Sequence, residues 1–324
     1  MNQMIEHVRP DYINKDFLIE ASHNNYRVDL GGERYYVRVL EDGTVLGPRP
    51  SFTTVKNKCS PTPYPLLAWY VDHGFEWTSN YLEHSANYGT YFHVLCGKYL
   101  RGDTVSMDNL WFLADITGFF AKQSLDIEGC LKWVQQEKRS LQKDFYGFAR
   151  FCEDYKIVPI AIEYPLFGER IACTLDIVCK MEIKGAELTA LIDIKSGLKS
   201  FYMDHEVQLH TQKKLWEAEH PDISIDKVYN YGCHDYRLPL KPTVTPYKLK
   251  DQTKSEHIYL MEHWLNIFEG MPKSETKKID FGLDITLNIK KEVPTSIFET
   301  IDVMDNFKKE EVNGESTSSK KENG

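Results

Sequence analysis

The sequence predicts an α/β fold whose core runs helix, three-strand meander, helix, strand, preceded by a β-ribbon and helices. Three observations carry this prediction. Between Asp126 and Lys156, Leu131, Val134, Leu141, Phe145, Phe148 and Phe151 recur at spacings of three, four and seven, the pattern of a long helix with one apolar face. Three apolar, β-branched runs follow it: KIVPIAIEYPLF (156–167), RIACTLDIVCKMEI (170–183) and ELTALIDIKS (187–196). Short turns separate them, which makes them a meander. Val207, Leu215 and Trp216 then mark an apolar stripe over about 203–219 that His220 and Pro221 end, and IDKVYNYGCHD (225–235) reads as the next strand.

The flanking segments are read in the same way. Residues 25–48 alternate and contain Gly-Gly and Asp-Gly, which predicts a small antiparallel ribbon. The stretch from Arg49 to Leu100 reads as a loop into helices, broken by Pro61, Pro63 and Pro65. SEHIYLMEHWLNIFEGM (255–271) predicts a closing helix, FGLDITLNIKKEV one further strand, and the polar tail after Asn306 disorder. The expected organisation is thus an N-terminal region 1–125, a core 126–305 and a tail 306–324. No internal repeat is visible.

Composition narrows the classes of function. With 324 residues the chain can form one large domain or two smaller ones. No apolar run approaches eighteen residues, so no membrane-spanning helix is expected. The start lacks a basic region followed by an apolar core, which predicts a cytoplasmic protein. Seven cysteines are scattered without a C-x-x-C pair, so neither a zinc ribbon nor a disulfide framework is expected. A net charge of −9 argues against a surface that grips nucleic acid everywhere. An enzyme that processes a phosphodiester can still confine its basic residues to one groove.

The chemistry concentrates in LTALIDIKSG (188–197) and the strand before it. Alternation puts Leu191, Asp193 and Lys195 on one face and Ile192 and Ile194 on the other. With Lys184-Gly185 as a two-residue turn, Asp176 falls opposite Asp193, and a turn shifted in centre pairs it with Lys195. Either register keeps all three on one face. Facing carboxylates repel unless something positive lies between them. A divalent cation of the Mg²⁺ or Mn²⁺ type answers that need, and a cross-strand Asp–Lys ion pair is the plainer alternative.

Asp176 followed by Asp193-Ile194-Lys195 on the next strand resembles the PD-(D/E)XK nuclease superfamily, with Ile194 as its variable residue. The element order over about 130–235 is similar to that family's restriction-endonuclease-like core. GTYFH (89–93) resembles the upstream histidine motif of RecB-like exonucleases, and PSFTTV with LAWYVDHG resembles the N-terminal part of mitochondrial genome maintenance exonucleases and related phage nucleases. The resemblance implies that His93, Asp176, Asp193 and the backbone carbonyl of Ile194 hold Mg²⁺ or Mn²⁺. It gives Lys195 the attacking water, places Glu163 near the metal, and assigns Gln208 to the water, the lysine or a phosphate. One departure stands out: the aromatic residue usual four positions after that glutamine is Gln212 here.

The activity so implied is a metal-dependent deoxyribonuclease acting as an exonuclease on single-stranded or end-accessible DNA, in recombination, repair or replication. Lys132, Lys138, Arg139, Lys143, Lys199, Lys213 and Lys214 are candidates for phosphate contact and Phe201 and Tyr202 for base stacking, with ordinary solvated faces and core packing as the plainer alternatives. Related CRISPR-associated nucleases hold an iron–sulfur cluster with one early and three late cysteines; no cysteine follows Cys233 here, so the resemblance implies no cluster. No phosphate-binding loop is present either, so a helicase, recombinase or single-strand-binding protein would be a separate partner. The rival reading is a non-catalytic nucleic-acid-binding or assembly protein that retains the fold.

Overall fold

The computed structural model describes residues 18–19, 24–30, 33–103, 105, 127–196, 201–233 and 245–271. Along them run β1 (Asn24–Leu30), β2 (Glu33–Val39), β3 (Val45–Pro50), α1 (Phe52–Cys59), α2 (Tyr64–His73), α3 (Phe75–Arg101) and α4 (Ile127–Tyr155). The chain continues through β4 (Val158–Phe167), β5 (Ala172–Ile183), β6 (Ala186–Lys195), α5 (Met203–Glu219), β7 (Lys227–Cys233), β8 (Tyr247–Asp251) and α6 (Tyr259–Gly270). Two compact units are separated at Gly270, and all these elements belong to the first, Met1–Gly270. The molecule is mixed α/β with two sheets, ordered β1-β2-β3 and β4-β5-β6-β7-β8. The strand expected in FGLDITLNIKKEV and the tail after Asn306 lie outside the described residues.

The turn at Lys184-Gly185 sets the register of the larger sheet. Both residues take positive φ, 53° and 81°, as a two-residue turn of mirror-image type requires. The strands leaving it pair from Ile183↔Ala186 to Ile177↔Ile192, the register that brings Asp176 level with Asp193. Beyond β6 the chain crosses over through α5, so β7 joins β6 in parallel, the arrangement that a helical connection permits and a tight turn does not. An antiparallel β8, too short and too charged in YKLKD to stand out in the sequence, closes the edge beside β7.

Helices cover both faces of this sheet. On one, Leu175, Val178, Leu191 and Val228 pack with Val207, Leu209 and Trp216 of α5, and with Phe52 of α1 and Trp264 of α6. Trp216 is fully buried, and its indole N–H donates to the Ile223 carbonyl at 3.1 Å. On the other face, Phe148 and Phe151 of α4 meet Tyr231 of β7 with ring centroids 5.5 and 5.2 Å apart, and Phe92 of α3 packs edge-on to Phe148. Burial on both sides explains why β6 and β7 read as near-continuous apolar runs. It also means that Asp193, at 0% exposure, is a charge inside the protein rather than at a sheet rim.

The small sheet docks on the large one through polar contacts. Arg38 of β2, 7% exposed, donates to Asn25 Oδ1 and to the Glu219 carboxylate, and its guanidinium lies 5.2 Å from the Phe167 ring centre. Ser51 caps α1 by accepting from the Thr54 N–H at 3.0 Å. An isolated bridge, Ser51↔Ala172, leads the chain from the small sheet onto β5.

Candidate active site

The site forms where β5 and β6 part. Their ladder stops at Ile177↔Ile192, while β6 continues along β7 as far as Lys195↔Gly232. The Ile194 N–H donates to Asp176 Oδ2 at 2.6 Å instead of to a β5 carbonyl. On the other flank β4 is irregular at the same level. Partners are found at Ile162↔Ile177 and Tyr164↔Leu175, and Glu163 between them has φ 49°. A non-glycine residue in that region costs of order 1–3 kcal/mol and persists only where its surroundings hold it. Here the distortion delivers the Glu163 carboxylate to His93.

His93 lies on the inner side of α3 among the buried Phe92, Val94 and Cys96. Its Nδ1 donates to Glu163 Oε1 at 3.1 Å and lies 3.8 Å from Asp176 Oδ1, while its Nε2 donates to the Ile194 carbonyl at 3.1 Å. Both hydrogen-bond partners are acceptors, so the ring carries two protons. Burial opposes that charge, yet the Asp176 and Glu163 carboxylates outweigh it and lift the imidazole pKa to about 9. The Asp176 carboxyl is itself pushed up, first by burial and then by Glu163, against the pull of His93, Lys195 and the Ile194 N–H.

Donor atoms of His93, Glu163 and Asp176 all lie within 4.8 Å of one another. One imidazole and two carboxylates form a nitrogen and oxygen donor set that a divalent cation can use, Mg²⁺ and Mn²⁺ among those it fits. The imidazolium now supplies the positive charge that the carboxylates demand, and a divalent ion would supply it more fully. The residues therefore fit such an ion, with the Ile194 carbonyl adjacent.

Asp193 is not in that group. Its oxygens are taken by Lys195 Nζ at 2.8 and 2.9 Å and by Asn230 Nδ2 at 2.8 Å. Burial raises its pKa and Lys195 counters the rise. For Lys195 burial works against the ammonium, but Asp193 and Asp176 prevail and hold its pKa above the usual lysine value. Lys195 also donates to Gln208 Oε1 of α5 at 3.2 Å. Of the three roles open to Gln208, the one visible here is that of holding the lysine.

The remaining expected residues are scattered. Gln212 is fully buried and donates to the Thr174 carbonyl at 3.0 Å, two residues before Asp176. Phe201 lies against Gly232, where an added Cβ would meet its ring at 2.8 Å, and Tyr202 is 58% exposed. Lys213 donates to the Ile225 carbonyl, Lys214 pairs with Glu262 and Lys132 with Glu128. Lys199 lies outside the described residues. Two residues escaped the sequence reading, Asn230 and Gln252. A lone amide between two tyrosines in the apolar run VYNYGC was the available signal for the first; nothing marked the second.

No protein-family model matches the chain, and no curated protein matches it. Among the described residues no helix is long and apolar enough to cross a membrane.

Proposed function

We propose that the chain is a Mg²⁺- or Mn²⁺-dependent deoxyribonuclease with a restriction-endonuclease-like core of the PD-(D/E)XK kind, acting as an exonuclease on single-stranded or end-accessible DNA. The observation that carries this reading is convergence. His93 from α3, Glu163 from β4 and Asp176 from β5 bring their donor atoms together beside the Ile194 carbonyl, and Lys195 and Gln208 stand on the neighbouring strand and helix. A structural ion pair would need only Asp193 and Lys195. It would not need a distorted Glu163 or a doubly bonded histidine.

In this reading His93, Glu163 and Asp176 hold the ion, with the Ile194 carbonyl in reach. A bound divalent ion supplies a Lewis acid for a phosphoryl oxygen and lowers the pKa of water. The chain's own part is positioning and charge. The Lys195 ammonium, kept protonated by Asp193 and aimed by Gln208, orients the attacking water and stabilises negative charge as the phosphodiester is displaced. Where β5 and β6 part, the His93 and Lys195 side chains keep 20% and 19% exposure. DNA is the expected partner, and a motor or recombination protein would be a separate chain.

The test is release of nucleotides from end-labelled single-stranded, duplex and circular DNA, with Mn²⁺, Mg²⁺ or EDTA. The expected result is metal-dependent release from linear substrates only, abolished in Asp176→Asn. Cleavage of the circle would convert the reading to an endonuclease. No release with any divalent metal would leave a binding or assembly protein.

A further inference from the structure

The Asp193–Lys195 pair lies on a chain of hydrogen bonds whose two ends reach the same helix, so that the α5 backbone closes it into a ring. From Asp193 Oδ2 the chain of contacts runs to Asn230 Nδ2 at 2.8 Å, and Asn230 Oδ1 accepts from Gln252 Nε2 at 3.0 Å. The backbone carbonyl of Gln252 accepts from His210 Nε2 at 2.8 Å. His210 stands two residues from Gln208 on α5, and Gln208 accepts from Lys195. Both ends of the path therefore return to one helix. Asn230 and Gln252 are 0% and 4% exposed, so neither amide has water as an alternative partner.

Direction matters in this ring. An asparagine side chain has one accepting and one donating end, and the two are nearly isosteric. Because Gln252 donates to Asn230 Oδ1, the Asn230 nitrogen must face Asp193. A reversed Asn230 would set an oxygen against a carboxylate and leave a buried donor unmet, which is strongly unfavourable. With that lone pair of Asp193 fixed, its remaining acceptor capacity faces Lys195.

We propose that Asn230 and Gln252 are positioning residues for Lys195, the Gln252 amide setting the orientation of Asn230 and Asn230 fixing the carboxylate that aims the ammonium. The residues belong to β7 and the segment after β8, so the edge of the sheet is part of the catalytic apparatus. The inference rests on the proposed nuclease reading for its purpose, though not for its geometry.

The experiment reads Lys195 directly, by NMR of its ¹⁵N-labelled ammonium group, assigned through Lys195→Arg. An ammonium held by Asp193 and Gln208 exchanges its protons slowly and gives a resolved signal. Gln252→Met keeps the length and removes the donor; Gln252→Leu removes the whole amide while staying apolar and buried. Thr253→Val is the control, because it loosens the same segment by removing the hydroxyl that accepts from the Val228 N–H but leaves the ring intact. The expected result is loss of the Lys195 signal in both Gln252 variants and its retention in Thr253→Val. In parallel, nuclease turnover should fall at least tenfold in the Gln252 variants with KM unchanged. An unaltered Lys195 signal in folded Gln252→Met or Gln252→Leu would overturn the proposal. So would loss in the Thr253 control as well, or a wild type without the signal. Should the signal behave as expected while the wild type cleaves no DNA, the ring stands and the nuclease reading falls.

Discussion

At the scale of single residues, the site is a balance of buried charges, and each substitution has a direction. Lys195→Met keeps the stem and removes the ammonium, leaving Asp193 unpaired at 0% exposure. Steady-state kinetics should show turnover reduced by about 10²–10³. Thermal melting should show a loss of about 3–5 kcal/mol; wild-type turnover would contradict the role given to Lys195. His93 gives a pH prediction. Its pKa of about 9 in the fold exceeds the free value of about 6.5, so its contribution to stability is whole below pH 6.5 and is lost as pH rises through 9. In EDTA the Tm should fall across that interval in wild type more than in His93→Gln. Because a metal and a proton compete for the same ring, the Tm increase caused by Mn²⁺ should grow over the same range.

At the scale of elements, one close approach and one buried aromatic hold the layers in place. A Cβ at Gly147 of α4 would meet the Pro246 carbonyl oxygen at 2.5 Å, a backbone atom that has no rotamer by which to yield. Gly147→Ala should therefore push α4 away from the segment entering β8 and lower stability by about 1–3 kcal/mol, read by urea denaturation. Trp216→Ala should cost about 3–5 kcal/mol by opening the α5 side of the core. These layers were largely legible in the sequence. The phenylalanines of 145–151 and the three β-branched runs carry their periods openly, and the observed α4, β4, β5, β6 and α5 fall within about two residues of the ranges they predict. β8 was not legible. Its five residues YKLKD sit at the sheet edge with only Tyr247 buried, so they carry no apolar run to read.

At the scale of the molecule, a buried cation is one of the contacts that fasten the N-terminal sheet to the core. Arg38→Met removes the partner of Glu219 and the contact with Phe167, and should lower stability by about 3–5 kcal/mol while leaving Mn²⁺ binding unchanged. The candidate site was legible wherever strand register alone decides it. Asp176, Asp193 and Lys195 follow from the Lys184-Gly185 turn, as do the opposite directions of Lys195 and Ile194. What pairwise register cannot encode is the parting of β5 from β6. That separation turns Asp176 toward the Ile194 N–H and leaves Asp193 to Lys195 and Asn230, while the positive φ at Glu163 brings its carboxylate to His93. Asn230 and Gln252 make their contacts between distant segments; the lone amide in VYNYGC is the local signal for the first, and nothing local marks the second.

In the proposed site His93, Glu163 and Asp176 together hold one divalent ion, and electron paramagnetic resonance of added Mn²⁺ measures it without reference to substrate. The expected result is one bound Mn²⁺ per chain in wild type and in Asn230→Leu, weakened at least tenfold in His93→Gln, Glu163→Gln and Asp176→Asn. Wild-type affinity that survives all three of those substitutions, or no bound Mn²⁺ at all, would contradict it.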